Sequence, residues 1–285
     1  MARSSAVEWT GIDVSIAEIE TRLAELRAEQ AELGAPSQRT SVMTHVAWVP
    51  PAWLDQAART LEGMAERHPS RTVLLVPKPD EENGLDADVS VRCFSVGESA
   101  VASEVIELTL RGNRVLAPAS LVLPLAISDL PVFVRWRGQP PFGATEWEQL
   151  VELADRVIVD SSEWEELRYR ELSETFERTA MSDIAWARIG DWRVELADRW
   201  PAIAEQAISI RGPRAEAALL RGWLASRLDR ELAPPEQAGD LGVRLDREEV
   251  SPPRDEQLTP SDLLSAELDN LARDRVYEAA AIAVG

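Results

Sequence analysis

Residues 40–76 read TSVMTHVAWVPPAWLDQAARTLEGMAERHPSRTVLLV, and the order of patterns inside this stretch decides the fold class. Residues 41–49 are β-branched and apolar, Pro50 and Pro51 break the run, and residues 53–67 repeat apolar side chains at helical spacing. Residues 72–76 then form a short run that reads as a strand buried on both faces. Strand, helix and strand in that order, with strands that do not alternate polar and apolar, predict a parallel sheet covered on both sides.

The pattern extends in both directions. Downstream, residues 80–84 read as a turn, and residues 89–96 and 105–110 as two antiparallel strands extending a sheet edge. The parallel pattern returns with a proline-bounded helix at 118–127, strands at 132–136 and 156–159, and helices at 146–153, 163–171 and 183–198, the last with Ser182 as N-cap. Upstream, residues 15–33 place Ile16, Ile19, Leu23, Leu26 and Leu33 on one seam, with a capping-box spacing at Ser15 and Glu18 and an i,i+4 pair of Glu18 with Arg22. That seam serves either the chain's own domain or self-association with another subunit. After Trp200 and Pro201 a short strand at 207–210, a helix at 214–230, a strand around Leu241, Val243 and Leu245, a proline-rich linker at 251–260 and a last amphipathic helix at 261–273, ahead of residues 274–283, complete the chain. The expected organisation is an N-terminal amphipathic helix (1–36), a doubly wound, Rossmann-like α/β domain with a mostly parallel sheet and an antiparallel edge (37–200), and a smaller α/β or α+β domain (201–285).

Composition limits the function. The 285 residues carry a formal charge of −20, which opposes a sequence-independent grip on nucleic acid and repels anionic lipid. The start of the chain has no apolar export segment, and the most hydrophobic stretch is interrupted by Pro118, Pro124, Asp129 and Pro131, so neither export nor membrane insertion is expected and the cytoplasm is the expected location. Cys93 is the only cysteine, which excludes a disulfide within the chain. There is no GxGxxG or GxxxxGK[ST] loop after a strand and no GxSxG elbow, and His45 and His68 lack metal-ligand spacing. No cofactor, metal or catalytic residue is expected.

Polar residues at strand ends remain, because open α/β sheets bind ligands beyond the carboxyl ends of their strands. Arg135, Trp136 and Arg137 follow one expected strand, and Asp160 and Ser161 follow another, so a sugar-phosphate or carboxylate pocket could form there in an enzyme or a sensor. The bland alternative has Trp136 filling a crevice while the arginines pair with surface acids. His68 and Arg71 flank the turn into a buried strand at the opposite, amino edge, where Pro69 sets the turn and Ser70 and Arg71 can satisfy carbonyls at the preceding helix end. Trp186, Trp192 and Trp223 lie in the apolar register of expected helices and read as core.

Several strings occur in a fixed order: His68-Pro-Ser-Arg71; the Leu123-Pro-Leu and Asp129-Leu-Pro-Val132 stretch leading into Arg135-Trp-Arg-Gly138; Asp155-Arg-Val-Ile-Val-Asp-Ser161; Asp183-Ile-Ala-Trp-Ala-Arg188 with Trp192-Arg193; Gly222-Trp-Leu-Ala-Ser-Arg227; and Asp274-Arg-Val-Tyr-Glu278. Together, from about residue 14 to the end, they resemble the OpcA proteins of actinobacteria and cyanobacteria. The resemblance implies a non-catalytic protein that promotes assembly and allosteric activation of glucose-6-phosphate dehydrogenase, the entry enzyme of the oxidative pentose phosphate pathway and a source of NADPH. Contact with such a partner is expected at the carboxyl edge around Arg135 to Arg137 and on the 15–33 helix. In cyanobacterial relatives the resemblance implies redox modulation through cysteines, for which this sequence offers only Cys93.

Overall fold

The computed structural model describes residues 6–32, 41–64, 67–96, 99–251 and 258–285, and only the backbone at 93–96 and 99–102, so the Cys93 thiol lies outside it, as does most of the expected linker at 251–260. In chain order the elements are β1 (Val7–Gly11), α1 (Ile16–Glu32), β2 (Met43–Trp48), α2 (Leu54–Met64), β3 (Ser70–Lys78), β4 (Gly84–Val96), β5 (Ser99–Arg111), α3 (Pro118–Leu125), β6 (Val132–Trp136), α4 (Thr145–Leu153), β7 (Arg156–Val159), α5 (Leu172–Arg178), β8 (Ala180–Asp183), α6 (Ile184–Arg188) and α7 (Gly190–Ala197). They continue as β9 (Ile208–Gly212), α8 (Arg214–Leu228), β10 (Glu236–Gln237), β11 (Gly242–Leu245), β12 (Glu248–Glu249), α9 (Pro260–Leu268) and α10 (Arg275–Val284).

An eight-stranded sheet runs β1-β4-β5-β3-β2-β6-β7-β8, and a four-stranded sheet runs β10-β9-β11-β12. Strands β5, β3, β2, β6, β7 and β8 are mutually parallel, whereas β4 pairs antiparallel with β5 and β1 antiparallel with β4. The doubly wound sheet with an antiparallel edge follows from the unbroken apolar strands: every residue of β2, β6 and β7 is buried, which requires helices on both faces. The chain builds outward from β2 through β3 to β5, then returns to lay β6, β7 and β8 on the other side. The direction of winding therefore reverses between β2 and β6.

Side-chain alternation assigns the two faces. Val46, Trp48, Val73, Leu75, Val134, Trp136 and Val157 join the large core with α1, α3, α4 and α5. On the opposite face Met43, Phe133, Ile158 and Ile184 pack with Met64 of α2 and with Leu263, Leu264 and Leu268 of α9. α9 follows the small sheet in the chain, yet it packs against α2 and α6 on the large one. Arg156, 1% exposed, fastens that arrangement by donating to the Ala272 carbonyl at 2.6 Å and pairing with Glu267 at 3.3 Å.

Several local expectations change. The helix anticipated at 163–171 is replaced by a 3-10 turn at Ser161–Glu163 and a helix that begins only at Leu172, because Glu163 is drawn back toward β6. The helix anticipated at 183–198 breaks at Ile189, and its cap is Asp183, which accepts from the Ala185 amide, rather than Ser182. Strands β1, β8, β10 and β12 and helix α10 are additions. Arg22 pairs with Glu25 at 2.7 Å instead of Glu18, while the Ser15 hydroxyl accepts from the Glu18 amide as the capping-box spacing predicts.

Candidate functional site

The winding reversal places the carboxyl ends of β2 and β6 side by side, the position where doubly wound sheets open a crevice. A cavity of about 80 Å³ lies there. His45, Ala47 and Val49 line it from the β2 strand and its end, Arg135 and Arg137 from β6, and Asp160 from the end of β7. Gln56, Ala57, Thr60 and Leu61 of α2 form one wall, with Pro260 and Leu264 of α9 and with Ile184 and Arg188 of α6 completing it. The spacing of two along each strand puts His45 with Ala47, and Arg135 with Arg137, on the face beneath α2 and α9.

The charged groups are interlocked. Arg135 donates to Glu163 at 3.0 Å and to the Trp136 carbonyl at 2.6 Å. Arg137 meets the same Glu163 oxygen at 2.9 Å, donates to the Gln56 side-chain carbonyl at 2.9 Å, and lies over the Trp53 ring at 4.6 Å. The other Glu163 oxygen accepts from the Gly138 amide at 2.8 Å, where a φ of +78° is readily accommodated by glycine. Arg188 grips both oxygens of Asp160, at 2.6 and 3.0 Å, and also reaches Glu216 at 3.1 Å. Burial alone would raise the Asp160 carboxyl, but Arg188 and Arg135 outweigh it and hold the group below its usual range. Burial lowers Arg137, and Arg135 acts in the same direction against the pull of Glu163.

His45 has no such partner. The ring is 1% exposed, and among the described residues neither nitrogen makes a hydrogen bond. Burial first, then the charges of Arg135 and His68, lower its pKa from 6.5 to about 4, so the imidazole is neutral near pH 7.

Of the residues singled out in the sequence, Arg135, Arg137 and Asp160 converge on this cavity. Trp136 points to the other face, stacked on Trp48 with ring centroids 4.7 Å apart and edge-on to Trp147. Ser161 is buried beside the cavity, its amide donating to Asp183 and its hydroxyl accepting from Tyr169. His68 and Arg71 lie elsewhere: His68 contacts Ser265 of α9, and Arg71 lies on the opposite face, donating to Glu104 at 2.7 Å and to the Leu125 carbonyl at 2.6 Å. The arginines at β6 pair with buried Glu163 rather than with surface acids. His45, Gln56, Glu163 and Arg188 had not been read as site residues. For His45 a signal was present: a titratable side chain in the middle of a mostly apolar, β-branched run. Trp186, Trp192 and Trp223 are buried, as their register indicated.

Among the described residues no group of three or more His, Cys, Asp or Glu could hold a metal ion, and no helix is long and apolar enough to cross a membrane. Residues 62–174, from the end of α2 through β7 to α5, match the OpcA assembly family model described as the glucose-6-phosphate dehydrogenase subunit N-terminal domain. Over this stretch the chain is similar to the OpcA family. A protein of Nostoc punctiforme provisionally named OxPP cycle protein OpcA is 28% identical over 204 residues, 65% of this chain and 43% of the relative. Its namesake in Synechocystis is 28% identical over 183 residues, 58% of this chain and 38% of the relative, and that in Synechococcus elongatus 28% over 185 residues, 58% and 41%. The matches thus span about two fifths of the length of these OpcA relatives. The family-model match takes in Arg135, Arg137, Asp160 and Glu163 and leaves His45 and Arg188 outside.

Proposed function

We propose that the chain acts with glucose-6-phosphate dehydrogenase in the oxidative pentose phosphate pathway, as a non-catalytic protein that favours the active assembly of that enzyme in the cytoplasm. The observation that carries this reading is the match of residues 62–174, most of the large sheet, to a domain described as a subunit of that dehydrogenase. The pathway follows from the name shared by the cyanobacterial relatives.

A non-covalent effector shifts an equilibrium only by binding one state better than another. A tenfold shift in favour of an active oligomer needs about 1.4 kcal/mol of differential binding, well within reach of a modest interface. Arg135 and Arg137 are each 6% exposed, which leaves little of either side chain for a protein partner to contact. The apolar seam of α1 packs on its own sheet through Ile19, Leu23 and Leu26. The dehydrogenase contact is therefore sought on the exposed faces of the large domain.

The test is the activity of the dehydrogenase from the same organism, titrated with this chain across substrate concentrations while light scattering follows the oligomer mass. A saturable rise in rate together with a heavier species is expected. An unchanged rate and mass at micromolar concentrations of both proteins would overturn the reading.

A further inference from the structure

We infer that the cavity between the carboxyl ends of β2 and β6 binds a small hydroxylated anion: a compact polyol carrying one carboxylate or phosphate group. The inference is independent of the dehydrogenase reading.

Hydrogen bonding identifies the hydroxyl. A neutral imidazole offers one donor and one acceptor, and a hydroxyl is the simplest group that uses both kinds. His45 is 1% exposed, lines the cavity and has neither nitrogen engaged among the described residues. Buried polar groups without partners are rare enough in folded proteins to require an explanation, and an absent ligand in a cavity beside the group supplies one. An apolar residue would suit this position better if nothing bound.

Charge identifies the anion. The cavity lining carries the guanidinium groups of Arg135, Arg137 and Arg188 against the carboxylates of Asp160 and Glu163, a surplus of one positive charge in a chain whose formal charge is −20. Glu216, which Arg188 also reaches, is not part of the lining. Arg135 and Arg137 already converge on one oxygen of Glu163, at 3.0 and 2.9 Å, so the pair is arranged to receive anionic oxygen. The amide nitrogen of Gln56, whose carbonyl oxygen is held by Arg137, supplies a further donor at the same wall.

Size narrows the class. About 80 Å³ is several times the ~10–15 Å³ that one water requires, and is too small to enclose a nucleotide. The apolar walls from Ala47, Val49, Leu74 and Leu264 match the carbon skeleton of a short polyol.

The experiment is calorimetric titration of the full chain near pH 7.5 with glycerol 3-phosphate and with glycerate, alongside glycerol and inorganic phosphate. Saturable one-to-one binding of at least one of the two hydroxylated anions is expected, with glycerol and inorganic phosphate weaker; which of the two binds distinguishes phosphate from carboxylate. His45→Leu should weaken that binding by ~10-fold or more, the scale of a lost buried hydrogen-bond partner. A second readout on the wild-type chain, the nitrogen chemical shifts of the His45 ring, should move on saturation. The inference is overturned if neither anion binds at millimolar concentrations, and equally if glycerol or inorganic phosphate binds as tightly. Binding that leaves the His45 resonances unchanged, or that survives His45→Leu intact, would place the ligand elsewhere and overturn it as well.

Discussion

His45 and Asp183 are buried titratable side chains whose protonation pulls stability in opposite directions. For His45 the folded pKa of about 4 lies below the ordinary 6.5, so between those values the unfolded chain binds the proton and the native one does not. Its contribution is complete above pH 6.5 and falls as the pH drops toward 4, by about 3 kcal/mol for a shift of this size. Asp183 is the reverse: burial, and then the charge of Asp160, raise it from 3.8 to about 7, so stability declines as the pH rises from 3.8 to 7 and is level above that. The two slopes oppose each other over most of the same range, and single variants separate them. His45→Leu is expected to leave a chain at least as stable at pH 8 and to remove the loss below pH 6.5, read as urea midpoints across pH. Asp183→Asn keeps an acceptor for the Ser161 and Ala185 amides and should gain up to about 4 kcal/mol over the wild type at pH 8 but little at pH 4. A flat difference between variant and wild type across that range would mean that Asp183 ionises normally. Neither perturbation was legible in the sequence, because burial and the nearby charges come from strands and helices distant along the chain.

At the level of elements, α1 is held to the sheet by packing and by one charged cluster. Glu104 of β5 is 3% exposed and accepts from Arg71 of β3 at 2.7 Å and from Arg27 of α1 at 2.8 Å. Burial tends to raise this carboxyl, but Arg27 and Arg71 more than offset it. Glu104→Gln leaves two guanidinium groups facing a neutral amide and should lower the unfolding free energy by about 3–5 kcal/mol, the range for breaking a buried pair from one side. A loss below about 1 kcal/mol in denaturant titration would show the cluster to be solvated, as surface pairs are. The heptad seam of α1 was readable as a helix; its destination on β4 and β1 was not, because an apolar stripe states how much must be buried and leaves the partner open. The strands β2, β3, β6 and β7 were readable for the converse reason: a short, mostly apolar run bounded by turn residues fits a strand buried on both faces better than a helix or a loop. The segment after β7 escaped the pattern because one long-range interaction, Glu163 with Arg135 and Arg137, overrode a local helical preference.

Across the whole molecule, the last two helices couple the small sheet to the large one. α10 packs on α8 and on α5, while α9 packs on α2 and α6. The contact of α8 with α10 depends on Gly222: an alanine Cβ there would collide with the Ala280 carbonyl oxygen and press on Val284. Gly222→Ala should therefore lower the melting temperature although alanine favours the helix, since relief requires moving backbone. In scanning calorimetry the wild-type chain is expected to melt in one transition, with van't Hoff and calorimetric enthalpies in agreement. Two separated transitions would mean that the sheets unfold independently. The amino-acid sequence by itself determined the doubly wound sheet, the antiparallel edge and the resemblance to the OpcA family, because strand burial, proline breaks and motif order are written locally along the chain. Only the tertiary structure decided which polar residues meet: it turned Trp136 into the core, carried Arg71 to the opposite face, and brought His45, Arg137, Asp160 and Arg188 around one cavity. The physical reason is that a strand's side-chain direction follows from its alternation, whereas the neighbours it faces are chosen by the order in which strands and helices pack.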